Sequence, residues 1–102
     1  MLIAIAATSA EDDAKIDQRG ARAPYYQFFN TQTGVTEALP NPVLEEQGGA
    51  GPKVAAFLIN KGVNKVVAGD FGNRFRDELE QAEVVCMQMT GELSEFLAEL
   101  RK

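Results

Sequence analysis

The pattern of apolar and polar positions along the chain predicts five strands. Residues 1–7 are apolar at every position, which is typical of a central strand covered on both faces. Two segments rich in aromatic and branched residues flank a polar turn at residues 31–34 and therefore predict a hairpin. The predicted strands are residues 1–7, 25–29, 35–39, 65–69 and 84–89.

Three helices are predicted from apolar residues at helical spacing. The first lies between Pro52, which suits the first turn of a helix, and Gly62, which suits the left-handed position after its end. The second begins at Asn73 as N-cap and runs to about Glu83. The third follows Gly91 and carries an apolar stripe with i, i+3, i+4 and i+7 spacing. The stripe consists of Leu93, Phe96, Leu97 and Leu100.

The resulting order, β-β-β-α-β-α-β-α, predicts a single α/β domain over residues 1–102. Right-handed crossovers bring helix starts to the edge where parallel strands end, so we expect all three helices to begin around one crevice. The long charged loop of residues 8–24 should open at the same edge. Helix starts offer unpaired N–H groups and partial positive charge, and nearby glycines allow close approach, so this edge predicts an anion site.

Arginines are the side chains expected to complete that site. Arg19 and Arg22 lie on the long loop, and Arg74 and Arg76 lie in the first turn of the second helix. Because the helix dipole favours acids in a first turn, Arg74 and Arg76 are either solvated surface charges or partners of a bound anion. Asp70, which ends the fourth strand, could bind a metal or cap the turn.

Composition excludes several classes of function. Ten Lys and Arg against fifteen Asp and Glu give a net charge of -5, which argues against a broad nucleic-acid surface. The chain has no histidine, so the usual general base and the commonest metal ligand are missing. A single cysteine permits no internal disulfide and favours a reducing cytoplasm. Residues 1–7 are too few to span a bilayer, so no membrane partner is expected.

Sulfur-bearing side chains on the last predicted strand offer a second kind of chemistry. Cys86 and Met89 are soft ligands that suit copper or iron–sulfur centres. A lone cysteine inside a strand also packs as a small hydrophobic residue, so both interpretations of Cys86 stay open. Met89 lies closest to the predicted crevice.

Three stretches of the chain together resemble a known family. They are Arg22-Ala23-Pro24-Tyr25-Tyr26, Gly48-Gly49-Ala50-Gly51 with its helix, and Gly62-Val63 followed by Val66-Val67-Ala68-Gly69. In this pattern the chain resembles the dinitrogenase iron-molybdenum cofactor biosynthesis family, which includes cofactor carriers of the NifX type. The resemblance covers nearly all 102 residues.

The resemblance implies a fold and a function. The implied fold is a three-layer α/β/α sandwich of the ribonuclease H-like kind, with a mixed five-stranded sheet of order 3-2-1-4-5 and strand 2 antiparallel. The implied function is non-enzymatic carriage of an anionic metal–sulfur cluster, of iron–molybdenum or molybdenum–copper type, held noncovalently. Cofactor-assembly or cluster-accepting proteins are the implied partners of a monomer or weak homodimer.

By position, the resemblance places the cluster against three loops, residues 19–24, 48–52 and 70–73. The residues implied to bind it are Arg19, Arg22, Gly48, Gly49, Ala50, Gly51, Asp70, Gly72, Asn73 and Arg74. Many family members carry a His-Phe-Gly-Arg-Ala-Pro run, whereas residues 18–24 here contain no histidine. Binding would therefore rest on arginine, backbone N–H groups and Met89 or Cys86.

Two other functions are alternatives. A metal-dependent phosphoester hydrolase on a ribonuclease H-like fold needs converging carboxylates, one of them on the first strand, and residues 1–7 contain none. Asp12, Asp13 and Asp70 could converge only through loop geometry. A ligand-free interaction module at the hairpin edge would be supported by an exposed Tyr25 or Phe28.

Overall fold

The computed structural model describes residues 1–43 and 50–102 as a five-stranded sheet with helices on both faces. The strands are β1 (Leu2–Ala7), β2 (Tyr25–Asn30), β3 (Thr36–Pro40), β4 (Lys65–Ala68) and β5 (Val85–Gln88). The helices are α1 (Ala50–Asn60), α2 (Asn73–Gln81) and α3 (Leu93–Leu100). The sheet order is β3-β2-β1-β4-β5. Strand β2 runs antiparallel to both of its neighbours, and β4 is parallel to β1 and β5. The order and directions that the resemblance implies are thus confirmed.

The alternation of side chains along β1 divides the core into two layers. Ala4 and Ala6 belong to a cluster with residues of α1 and α2, whereas Ile3 and Ile5 belong to a cluster with residues of α3. Because successive residues of a strand point to opposite faces, a strand that is apolar throughout must lie between two helical layers. The prediction that residues 1–7 form a central strand is confirmed by the pairing of β1 with both β2 and β4.

The helices follow their predicted faces but differ in their ends. Gly62 follows α1 with φ 84°, as predicted. For α2 the prediction of Asn73 as N-cap was wrong, because the N-cap is Gly72, whose φ of 71° suits glycine, and Asn73 is the first helical residue. Glu83, also at positive φ, turns the chain after α2 has ended at Gln81. None of the helices in the described ranges has the length and apolar composition needed to cross a lipid bilayer.

Candidate functional site

The loop of residues 8–24 is fastened across the carboxyl edge of the sheet. The N–H of Asp17 donates to the carbonyl of Ala6 at 2.8 Å, and the carbonyl of Asp17 accepts from Gly69 N–H at 2.9 Å. The N–H of Gly20 donates to the carbonyl of Asp70 at 2.9 Å. These bonds join the loop to the ends of β1 and β4, so the backbone around Arg19 has a defined position at the sheet edge.

A buried carboxylate orients Arg19. The Asp17 side chain is only 4% exposed, whereas that of Arg19 is 63% exposed. One Asp17 oxygen accepts from the backbone N–H of Arg19 at 2.8 Å and from its Nε at 3.1 Å, and the other accepts from Nη2 at 3.2 Å. The hydrogen bond and charge of Asp17 raise the pKa of Arg19. The guanidinium is therefore held in one orientation, and the N–H groups that Asp17 does not use are left for another acceptor.

Two buried side chains hold the next part of the loop. The Tyr26 hydroxyl donates a short hydrogen bond to the carbonyl of Gly20. Asn41 Nδ2 donates to the carbonyls of Ala21 at 3.0 Å and Ala23 at 2.9 Å. Burial raises the pKa of Tyr26, so its hydroxyl stays protonated as the donor. Residues 20–23 are thus tied to the sheet by one side chain in β2 and one directly after β3.

Close approach of glycines brings the loop and two helices together. A Cβ added at Gly20 would lie 2.8 Å from the carbonyl oxygen of Asp70 and 2.9 Å from the Phe75 ring. A Cβ added at Gly51 would lie 3.3 Å from the backbone nitrogen of Phe75. The loop therefore packs on the first turn of α2, and the beginning of α1 lies beside it. Larger residues at these positions would separate the three segments.

An open cleft of about 320 Å³ lies between residues 18–22 and residues 70–72. Its lining includes four of the residues predicted to bind a cluster. They are Arg19, Arg22, Asp70 and Gly72. Gly72 has no side chain with which to cap the first-turn N–H groups of α2, and that turn contains no acidic residue. The cleft can therefore offer guanidinium and backbone donors to an anion, with the Asp70 carboxylate as an opposing charge.

The other predicted residues lie in several places. Asn73 and Arg74 are exposed in the first turn of α2, next to the cleft. Ala50 is buried and Gly51 is half-buried, both in the first turn of α1. Gly48 and Gly49 lie outside the described residues.

The expectation that three helix starts share one crevice was wrong for α3. Leu93, the first residue of α3, packs with Ile3 and Ile5 on the face of the sheet opposite to α1 and α2. Its N–H donates to the carbonyl of Ala14 at 3.1 Å, so the loop uses it internally. Because α3 covers the opposite face of the sheet, its first turn does not face the cleft.

Cys86 and Met89 lie on opposite faces of the sheet. Cys86 packs against the α1 and α2 cluster, and Met89 packs against the α3 cluster. Burial raises the pKa of the Cys86 thiol. Neither residue lines the cleft, and the two lie in different layers of the core. Their role as metal ligands stays a prediction. Within residues 1–43 and 50–102, no three His, Cys, Asp or Glu side chains form a group that could hold a metal ion.

The structure supplies local explanations for other candidates. The guanidinium of Arg76 lies 4.9 Å from the centre of the Phe71 ring and 3.8 Å from the Glu80 carboxylate. These contacts occupy Arg76 on α2 itself, which favours a structural role. Phe28 is only 4% exposed and Tyr25 is half-buried, so the hairpin lacks the exposed aromatic residue that an interaction module would present.

Sequence reasoning missed Asp17, Tyr26 and Asn41 as the residues that shape the site. In the sequence, Asp17 is one of several acids in a charged loop, and Asn41 lies between Pro40 and Pro42. An asparagine between two prolines suggests a side chain that bonds to backbone, but the partners of Asn41 lie 18 and 20 residues away. The sequence contains no mark of that pairing.

Comparison with known proteins gives a family match over residues 1–102 and solved structures that match over 96% of the chain. A family model described as dinitrogenase iron-molybdenum cofactor matches residues 1–102. The apo form of the orange protein from Desulfovibrio gigas superposes with a TM-score of 0.87 at 22% identity, over 96% of this chain and 83% of that one. A Thermotoga protein described as a putative NifB protein of the DUF35 family superposes with a TM-score of 0.79 at 26% identity, over 96% and 84%. No curated protein sequence matches the chain.

Proposed function

Because this chain belongs to the dinitrogenase iron-molybdenum cofactor family, we propose that it is a small non-enzymatic carrier whose cargo is an anionic metal–sulfur cluster. The observation that carries the proposal is the cleft at residues 18–22 and 70–72, which is lined by Arg19, Arg22 and Gly72, the N-cap of α2. Membership alone would suggest a cluster. The cleft supplies a place where this chain could hold one.

The cleft suits recognition of a cluster by charge and hydrogen bonding. A helix start carries a partial charge equivalent to about +0.5, and a hydrogen bond to a charged group contributes roughly 1.5–3 kcal/mol. Arg19 is pre-oriented by Asp17, so little side-chain freedom is lost when it binds. Of the thirteen acidic residues within residues 1–43 and 50–102, Asp70 is the one that lines the cleft, so the net negative charge of the chain is not concentrated there.

Direct coordination by side chains fits this chain less well. Histidine is absent from the sequence, and the described residues contain no group of three Cys, Asp or Glu side chains that could hold a metal ion. Sulfide atoms of a cluster can instead accept hydrogen bonds from the arginines and from the first-turn N–H groups of α2. This recognition reads charge and shape, so it applies to iron–molybdenum and molybdenum–copper sulfide clusters alike.

A carrier also has to receive and release its cargo. We therefore propose cofactor-assembly or cluster-accepting proteins as partners of a monomer or weak homodimer. A reducing cytoplasm suits the lone Cys86 thiol and an oxygen-sensitive cargo.

Anaerobic reconstitution tests the proposal. The protein is incubated with sulfide, molybdate and either iron or copper, then separated from small molecules and assayed for visible absorbance and metal per chain. We expect stoichiometric retention by the unmodified protein. Arg22→Glu should weaken retention of the cluster by about tenfold, because it replaces a cationic donor at the cleft with a carboxylate, whose charge has the same sign as that of the cluster.

Lys102→Glu is the matched control, since it makes the same charge change at the exposed carboxyl end of the chain. It should retain cluster as the unmodified protein does. Absence of colour and metal under every combination would remove the carrier function. Equal retention by Arg22→Glu and Lys102→Glu would remove the cleft as the binding site.

A further inference from the structure

A second concave surface lies beside α3, outside the cleft already described. It encloses about 500 Å³, and its apolar lining includes Met89, Phe96 and Ala98. Three glutamates border it: Glu92, Glu95 and Glu99. We call this surface the α3 groove.

The groove exists because the two faces of the sheet are covered unequally. In the part of the chain that the structure describes, two helices, α1 and α2, pack on one face, whereas one helix, α3, packs on the other together with Ala14 and Ile16 of the long loop. Met89, which follows the edge strand β5, and Phe96 of α3 are only partly buried. One helix is too narrow to cover that side of the sheet, so apolar surface stays open beside α3, where the chain leaves β5.

The charged residues in the lining of the groove are all acidic. Glu92, Glu95 and Glu99 are three and four residues apart, which places them along one side of α3. Glu99 contacts Lys102 at 3.1 Å, but both side chains are mostly exposed, so this contact exchanges readily with another cation. An apolar floor with an acidic border is complementary to a helix that is apolar on one face and basic on the other.

We propose that the α3 groove docks a basic amphipathic helix of a partner protein. Its apolar side chains would lie on Met89 and Phe96, and its Lys or Arg side chains would meet Glu95 and Glu99. Methionine suits such a surface because its flexible side chain adapts to the shape of a ligand. The inference does not depend on what the cleft binds.

Other occupants fit the groove less well. A second copy related by a two-fold axis would bring the glutamates of one chain against those of the other, and like charges in an interface oppose binding. An added strand would pair with the backbone of β5, yet none of Val85–Gln88 lines the groove. A membrane with anionic lipids would be repelled by the same glutamates.

The groove begins close to the cleft. The N–H of Met89 donates to the carbonyl of Ala68 at 3.0 Å, and Gln88 Nε2 lies 3.4 Å from the carbonyl of Gly69. Asp70, the next residue along, lines the cleft. A helix docked in the groove would therefore be held beside the cleft rather than on a remote surface.

The test uses a synthetic helical peptide of roughly 15 residues, long enough for several turns, with leucines on one face and lysines on the other. Binding is followed by amide chemical shifts of the isotope-labelled protein without metal. We expect shifts centred on residues 89–99. Glu95→Lys should weaken binding by about tenfold, and the control Glu78→Lys, an equal charge change on the exposed side of α2, by less than about twofold.

Two peptide controls separate the occupants. A peptide with glutamates in place of the lysines, and one with the same residues in an order that is not amphipathic, should bind at least about tenfold more weakly. Equal weakening by Glu95→Lys and Glu78→Lys would show non-specific attraction and overturn the proposal. Shifts centred outside residues 89–99 would overturn the proposal too. So would light scattering that shows the protein to self-associate without peptide, with concentration-dependent shifts in residues 89–99, because a second copy would then fill the groove.

Discussion

Asn41 holds the loop that carries Arg22 through side-chain hydrogen bonds. Its replacement by alanine should therefore destabilise the protein more than the loss of a single hydrogen bond would. Its amide nitrogen donates to Ala21 and Ala23 at 3.0 and 2.9 Å, and its oxygen accepts from the N–H of Val43 at 2.9 Å. At about 1 kcal/mol for each bond, Asn41→Ala should lower the free energy of unfolding by about 3 kcal/mol. That is a large part of the 5–15 kcal/mol typical of a small domain, so the variant should fold but with reduced stability.

Urea unfolding followed by circular dichroism measures this change. Asn60→Ala, at the exposed end of α1, is the control and should change the free energy of unfolding by less than about 0.5 kcal/mol. Amide hydrogen exchange should also quicken in residues 20–23 of Asn41→Ala. If Asn41→Ala proves no more destabilising than Asn60→Ala, the bonds to the loop do not support the site as described.

The isosteric change Asn41→Asp adds a pH dependence with a defined sign. The introduced carboxyl keeps its acceptor for Val43 but faces two carbonyl oxygens, so the folded state favours its protonated form. Its pKa should rise above the usual value of about 3.9. The folded protein then binds more protons than the unfolded chain, and the stability of this variant relative to the unmodified protein should fall as pH rises through that raised pKa. A difference that does not vary with pH would contradict this placement of the Asn41 amide.

Three further changes test other parts of the account. Gly20→Ala should destabilise the protein by about 1–3 kcal/mol in urea unfolding, because a Cβ would meet the Asp70 carbonyl at 2.8 Å and the Phe75 ring at 2.9 Å; an unchanged midpoint would show that the loop is not packed there. Asp70→Asn should strengthen retention of an anionic cluster by about threefold by removing an opposing charge from the cleft, whereas weaker retention would mean that the carboxylate itself binds. Cys86 should react with iodoacetamide at pH 8 more slowly in the folded protein than in urea, since burial raises its pKa, and equal rates would place the thiol in solvent.

The sheet and its helices could be predicted from the sequence because they depend on local periodicity. The apolar run of β1 indicated burial on both faces, and the stripe from Leu93 to Leu100 indicated which side of α3 packs. The N-cap of α2 was misplaced by one residue, since Asn73 is the more usual cap and the positive φ of Gly72 is a property of the folded loop. Such a shift concerns the geometry of a turn, which composition alone does not fix.

The internal structure of the cleft depends on contacts distant in sequence and could not be predicted in the same way. The loop that carries Arg19 and Arg22 and the start of α2 were both identified, because charge and helix position are visible in the chain. The ion pair of Asp17 with Arg19 and the hydrogen bonds from Asn41 to the loop were not predicted. In a sequence, a polar residue that bonds to a distant segment looks the same as one that faces solvent. That α3 does not begin at the cleft was missed for a different reason. In the described residues no strand follows α3, so the handedness of crossovers does not determine which face of the sheet it covers.

The most direct test of the carrier account is an amide chemical-shift titration of the labelled protein with tetrathiomolybdate, a metal–sulfide dianion. The account predicts saturable shifts concentrated in residues 18–22 and 70–75, which contain the cleft and the first turn of α2, with Arg22→Glu weakening them. Absence of saturable shifts, or shifts confined to the strands and to α3, would contradict it.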